Sequence, residues 1–235
     1  MNIVKKTGTI NTTSLKGRKI EWIVIHYTAG TTSKAGSALD LAAYYLSGKA
    51  AASSDFIVDD TAVVQYNGDI ANRYTWGVGG SKYTSMSTPE GGRYYGKCKN
   101  SSCINIEVCS NKTNKKSLLA SDTDWYFTDA EIELTVRLTR QLMEQYGIDA
   151  EHVIMHHHVT GKVCPNPWTV TPDRLSGWQD FHRRISAVND TASAAEKPSD
   201  KLYCVQVGAF KSKTNAEKML AEVKKKYPQA FISVK

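Results

Sequence analysis

The chain has 235 residues, 41% of them hydrophobic and 23% charged, a composition that excludes collagen-like and mostly disordered readings. No run approaches the roughly 18 consecutive apolar residues that a membrane span needs, and basic Lys5 and Lys6 near the start are not followed by the apolar stretch of a secretory signal. Of the net charge of +7, +6 lies in residues 201–235, where eight lysines face Glu217 and Glu222; the body is near neutral and the tail suits a polyanion.

In chain order, Lys19–Tyr27 is a nearly continuous apolar run through Ile20, Trp22, Ile23, Val24 and Ile25, which predicts a buried strand ending at His26. Ser37–Leu46 places Leu39, Ala42, Ala43 and Leu46 at helical spacing, and Ser53–Asp59 with Ala62–Tyr66 reads as a hairpin around Asp59-Asp60. Ser81–Asn100, rich in glycine and tyrosine, reads as a surface loop, and Cys103–Cys109 as a further strand. Thr128-Asp129-Ala130-Glu131 is a capping box that opens a helix burying Ile132, Val136, Leu142 or Met143, and Tyr146, and stopping at Gly147. The predicted fold class is therefore mixed α/β, with a central β-sheet flanked by helices.

The predicted division is a body over 1–187, a small and polar linker over 188–200, and a tail unit over 201–235. In the tail, Tyr203, Val205 and Val207 alternate as a strand, and Thr214-Asn215-Ala216-Glu217 caps a helix carrying Ala216, Met219, Leu220 and Val223. Phe231–Val234 offers a second strand. A β-α-β unit of about 35 residues is too small to stand alone, so it docks on the body, pairs with a second copy in a dimer, or stays mobile.

Five cysteines, Cys98, Cys103, Cys109, Cys164 and Cys204, are an odd number without the spacing of a disulfide framework, and a cytosolic chain keeps them reduced. The densest chemistry lies between Met155 and Trp168, where His156, His157 and His158 are followed by Lys162 and Cys164, ligand types that zinc prefers. If these histidines lie on a strand, His156 and His158 share a face and His157 points away, so at most two serve one metal. The plainer alternative is a polar loop whose histidines only hydrogen-bond. His26, at the end of its apolar strand, adds a further imidazole, and two histidines plus one cysteine leave tetrahedral Zn2+ one open position for water.

The segments Ile23-Val24-Ile25-His26-Tyr27-Thr28-Ala29, Ser54-Asp55-Phe56-Ile57-Val58-Asp59, Ile104-Asn105-Ile106-Glu107 and His156 through Pro165 resemble the zinc-dependent N-acetylmuramoyl-L-alanine amidases, the type that includes phage lysins and peptidoglycan recognition proteins. The resemblance covers roughly residues 18–186. It implies that His26, His156 and Cys164 bind Zn2+, that Lys162 stabilises an oxyanion, and that the bond between N-acetylmuramic acid and L-alanine in peptidoglycan is hydrolysed. Three positions depart from the pattern. His158 stands where the family has an acidic residue, Ser54 where a catalytic tyrosine is frequent, and Gly77, in Trp76-Gly77-Val78-Gly79, where a histidine is usual. The general base is left unassigned, with Asp55 a candidate; Ser54 is placed at the substrate, and Trp76 either stacks on substrate or packs in the core.

The tail segment Tyr203–Phe210, with Asn215-Ala216-Glu217, resembles half of a sporulation-related (SPOR) repeat and implies wall binding, in keeping with a basic face toward anionic wall polymers. The expected protein is a phage or prophage endolysin of a Gram-positive wall, cytoplasmic when made and acting on the wall after release. The alternatives are a sporulation autolysin and a non-catalytic peptidoglycan recognition module, against which the retained Cys164 argues. Nucleic acid is not an expected partner, because the tail lacks interleaved aromatics for base stacking.

Overall fold

The computed structural model describes residues 3–30, 34–82, 88, 90–119, 121–169, 172–187, 210–225 and 231–232. The elements in chain order are β1 (Ile3–Lys5), β2 (Thr12–Ser14), β3 (Trp22–Tyr27), α1 (Ser37–Leu46), β4 (Phe56–Val58), β5 (Val63–Gln65), β6 (Arg73–Thr75) and β7 (Cys103–Val108). There follow β8 (Asn111–Lys112), β9 (Trp125–Tyr126), α2 (Asp129–Tyr146), β10 (Val153–Met155), α3 (His156–Thr160), α4 (Pro172–Ser186) and α5 (Lys213–Lys224). The chain divides into two units, Met1–Val188 and Asn189–Lys235.

Six strands of the first unit form a sheet in the order β1-β5-β4-β7-β3-β10, parallel except where the predicted hairpin pairs β4 with β5 antiparallel. Central β3 and β7 are buried on both faces, which is why their sequences read as continuous apolar runs. Alternation then sorts their side chains. Ile23, Ile25, Tyr27, Ile104, Ile106 and Val108 join the main core, where Val136, Leu138 and Leu142 of α2 and Trp178 and Phe181 of α4 cover them. The opposite face carries two smaller apolar clusters. One packs Ile57, Val64 and Tyr66 on Ala38, Ala42 and Tyr45 of α1; the other joins Val24, Cys98, Cys103, Ile154 and Val159. Polar His26, Asn105 and Glu107 belong to this second face: His26 is the register partner of Glu107, and Val24 that of Asn105.

The capping box forms as the sequence predicts. Thr128 Oγ1 accepts the Glu131 N–H at 3.2 Å, Glu131 Oε2 accepts the Thr128 N–H at 2.7 Å, and Gly147 ends α2 at φ 65°. A threonine cap of this kind contributes about 1 kcal/mol. The short strands β1, β2, β6, β8 and β9 escape prediction because two or three residues are too few to show a period of two.

In the second unit α5 begins at Lys213 behind Ser212, which makes no side-chain cap bond. The predicted cap at Thr214 therefore lies inside the helix. The expected strand over 203–207 and the expected linker lie outside the described residues, and Phe231 and Ile232 are not in a strand.

Candidate metal centre

Three elements deliver the cluster. His26 comes from the C-terminal half of β3, His156 from the start of α3, directly after β10 has paired with β3, and Cys164 from the loop beyond α3. Their ligand atoms lie within 4.8 Å of one another, and all three side chains are buried. Cys164 Sγ stands 3.7 Å from His26 Nδ1, and the two imidazoles meet edge to face at 4.8 Å between centroids. Among the described residues neither His156 Nδ1 nor Nε2 has a hydrogen-bond partner, although both are buried. A buried imidazole with both nitrogens orphaned costs free energy unless something binds there, and a thiol with two imidazoles is a donor set that suits zinc. The residues therefore fit the ion.

Burial also sets their protonation. It pushes His26 down to about 3, against the hydrogen bond it makes to Asn105 Oδ1, and holds His156 well below its ordinary value with help from the His26 and Lys162 charges. Both imidazoles are thus neutral, as ligation requires. The Cys164 thiol is pushed up to about 12 by burial and by Glu107, so a cation is needed to ionise it near neutral pH.

A carboxyl group and an ammonium flank the cluster. Glu107 is partly buried on β7, and burial raises its carboxyl to about 8 against the opposing charge of Lys162. Lys162 is exposed and lines, with His156, Trp76, Thr13, Tyr74 and Asn100, a cleft of about 570 Å³. Trp76 is 44% exposed and donates its indole N–H to Thr13 Oγ1 at 3.0 Å, so it stands on the cleft wall rather than in the core.

The histidine run is helical, not extended, which corrects the strand reading: successive side chains turn through about 100° instead of alternating. His157 is buried; its Nδ1–H donates to the Lys162 carbonyl at 2.9 Å and its Nε2 accepts the Thr88 hydroxyl at 2.6 Å, which anchors the backbone at Lys162. His158 Nδ1 accepts the Met155 N–H at 3.3 Å, the reciprocal half of a capping box at the start of α3. A lone pair on imidazole does there what a carboxylate at the third helical position does elsewhere, so the departure from an acidic residue keeps the cap.

Asp55 and Ser54 are both fully buried and do not face the cleft. Asp55 accepts hydrogen bonds from the Asn105 N–H, Asn67 Nδ2 and Thr75 Oγ1, so both of its oxygens are engaged inside the fold. Ser54 Oγ lies 3.5 Å from the hydroxyl of buried Tyr45 on α1, so the expected substrate contact is replaced by a contact inside the fold. The residue that sequence reasoning missed is Glu107. It was visible as a single carboxylate in the apolar run Cys103–Val108, but only the pairing of β7 with β3 sets it beside His26.

Taken together, fold and cluster define a mixed α/β protein with a two-histidine, one-cysteine ligand set at the edge of an open cleft. Residues 16–167 match the N-acetylmuramoyl-L-alanine amidase family, and residues 199–235 match the SPOR domain. The chain belongs to the N-acetylmuramoyl-L-alanine amidase family. It is 24% identical over 212 residues to the N-acetylmuramoyl-L-alanine amidase CwlL of Bacillus licheniformis, covering 82% of this chain and 49% of CwlL. A probable N-acetylmuramoyl-L-alanine amidase of the same organism is 24% identical over 192 residues, with 80% of this chain and 47% of the relative covered. The chain thus spans about half the length of the curated relatives it matches. Among solved structures, a mutant endolysin from Bacillus subtilis superposes with a TM-score of 0.54 at 22% identity, covering 79% of this chain and 99% of that one.

Proposed function

We propose that this protein is a zinc-dependent peptidoglycan hydrolase that cleaves the amide between N-acetylmuramic acid and L-alanine, with a tail that holds it to the wall. One observation carries the reading: the ligand atoms of His26, His156 and Cys164 converge, with both His156 nitrogens unsatisfied among the described residues, beside a carboxyl group and an ammonium at a cleft. Zinc held by these residues supplies a Lewis acid for the amide carbonyl and lowers the pKa of water. Glu107, raised to about 8 by burial against the Lys162 charge, takes in its ionised form a proton from the attacking water and returns it to the leaving nitrogen. The Lys162 ammonium donates to the carbonyl oxygen as negative charge develops on it. Trp76 offers an indole face on the cleft wall for stacking against a sugar ring.

The body over 1–187, the linker over 188–200 and the tail over 201–235 then divide the labour. The SPOR match and the concentration of positive charge support a wall-facing role for the tail, toward glycan or anionic wall polymers. By this reading the protein is a lysin that meets its substrate after release from the cell that made it.

The test is digestion of isolated peptidoglycan by the purified protein, with chelator and with zinc restored, followed by mass spectrometry of the new ends. Free L-alanine amino ends that appear only with zinc are expected. Cleavage by the metal-free protein would sink the mechanism, and binding without cleavage by the zinc-loaded protein would make it a recognition module.

A further inference from the structure

His26 turns Nδ1 toward Cys164, and its far nitrogen, Nε2, meets Asn105 Oδ1 at 3.0 Å. A neutral imidazole offers Nδ1 as a ligand only while its proton sits on Nε2. The bonds behind Asn105 have a direction that decides this. Asp55 Oδ2 accepts the Asn105 backbone N–H at 2.7 Å, Asp55 Oδ1 accepts Asn67 Nδ2 at 2.7 Å, and Thr75 Oγ1 donates to Asp55 Oδ2 at 2.9 Å. A hydroxyl has one proton. With that proton given to Asp55, Thr75 Oγ1 can only accept from Asn105, whose Nδ2 lies 3.0 Å away. The amide nitrogen therefore faces Thr75 and the amide oxygen faces His26. The Cys103 thiol, 3.6 Å from the same oxygen, is a second donor on that side.

We infer that Asp55, Thr75 and Asn105 form a one-way hydrogen-bond relay that keeps the His26 proton on Nε2 and so presents Nδ1 to a metal, with Asp55 a positioning residue rather than a general base. The inference rests on the metal-centre reading above. Asp55, Thr75 and Asn105 are fully buried, so bulk water does not compete for any of these bonds. Burial holds the Asp55 carboxyl above its ordinary value, opposed by the nearby Arg18 guanidinium and the three donors, which favour the carboxylate that the relay needs. Gly77 gives the relay its room. A Cβ there would stand 2.4 Å from Asn105 Cγ, so a side chain at 77 and the Asn105 amide in its present place exclude each other. The glycine in Trp76-Gly77-Val78-Gly79 thereby acquires a physical reason.

The test uses the full chain, stripped of metal and labelled with ¹⁵N, in which the imidazole nitrogen shifts report where the proton of each histidine sits. Thr75→Val removes the hydroxyl at nearly constant volume, and Thr75→Ser keeps it. Wild type and Thr75→Ser should show His26 protonated at Nε2 alone. Thr75→Val should show a mixture, and its zinc affinity, read by competition with a chromophoric chelator, should fall by about 10- to 100-fold, the usual effect of removing a group that supports a ligand. Thr75→Ser should keep the wild-type affinity. A wild-type proton on Nδ1 overturns the relay, and that single measurement decides even if Thr75→Val does not fold. An unchanged tautomer and affinity in folded Thr75→Val also overturns it. The tautomer is read without metal, so a wild type protonated at Nε2 that takes up no zinc retains the relay and defeats the metal-centre reading instead.

Discussion

Glu107→Gln keeps the shape of the side chain and removes its capacity to carry a proton. If Glu107 is the base, hydrolysis should fall by about 10²- to 10⁴-fold, while zinc content, measured by elemental analysis, stays at the wild-type level. Equal loss of zinc would mean that the carboxylate supports the ligands and does not carry protons. At this scale the sequence was legible wherever one residue's chemistry suffices: His26, His156, Cys164 and Lys162 stand out as residue types. It was silent wherever a role depends on a neighbour. Asp55 reads from sequence as a free carboxylate and is in fact enclosed by Asn67, Thr75 and Asn105, which lie 12, 20 and 50 positions away in the chain. His158 reads as a spare ligand and serves as a cap. Neither fact has a local signature, because each partner is chosen by strand pairing or by the helical geometry of α3.

The long helix α2 shows what an element makes legible. Its start and stop appear in the sequence, and of its expected apolar stripe Val136 and Leu142 are buried, while Ile132, Met143 and Tyr146 are only partly so and Leu138, fully buried, is not foreseen. Its cap also carries a charge effect that the pattern alone does not disclose. Burial raises Glu131 to about 7, against the Thr128 hydrogen bonds, and its Oε1 is buried with no partner among the described residues. A carboxyl whose folded pKa lies above its unfolded value contributes stability that is fully present below the unfolded pKa, near 4.5, and is lost as pH rises through about 7. Glu131→Gln retains an oxygen to accept the Thr128 N–H and cannot ionise. The difference in Tm between Glu131→Gln and wild type should therefore shift in favour of the variant from pH 4.5 to pH 8. A difference that stays constant with pH would mean that Glu131 is not protonated in the native state. The opposite lesson comes from α3, where three adjacent histidines carry no period and the five-residue helix is set by contacts around it. The extended reading failed there for want of a pattern.

For the molecule as a whole, composition separates a near-neutral body from a basic tail, and the structure divides into Met1–Val188 and Asn189–Lys235. Sequence could not supply the strand order, since β7 lies between β4 and β3 through pairings far apart in the chain. The division of labour predicts a separable phenotype. Lys211, Lys218 and Lys224 are exposed on or beside α5. Reversing all three to glutamate should weaken sedimentation of the full chain with isolated wall and reduce the salt dependence of that binding. Cleavage of soluble muropeptides should proceed at the wild-type rate. Loss of both together would argue that the tail contributes to the reaction itself.

The wide chain separation within the cluster, 138 positions between His26 and Cys164, bears on how the protein comes into being. Contacts of such long range pay their loop-closure entropy before they return any stability, and they are among the last to form. His26 and His156 are brought together by the pairing of β10 with β3, so the ligand set is incomplete until that pairing forms. A chain stalled in synthesis before Cys164, or clipped between α1 and β7 and fallen apart, has no complete ligand set. A complete ligand set is thereby withheld from every such fragment and nascent form, and the topology itself serves as the safety catch.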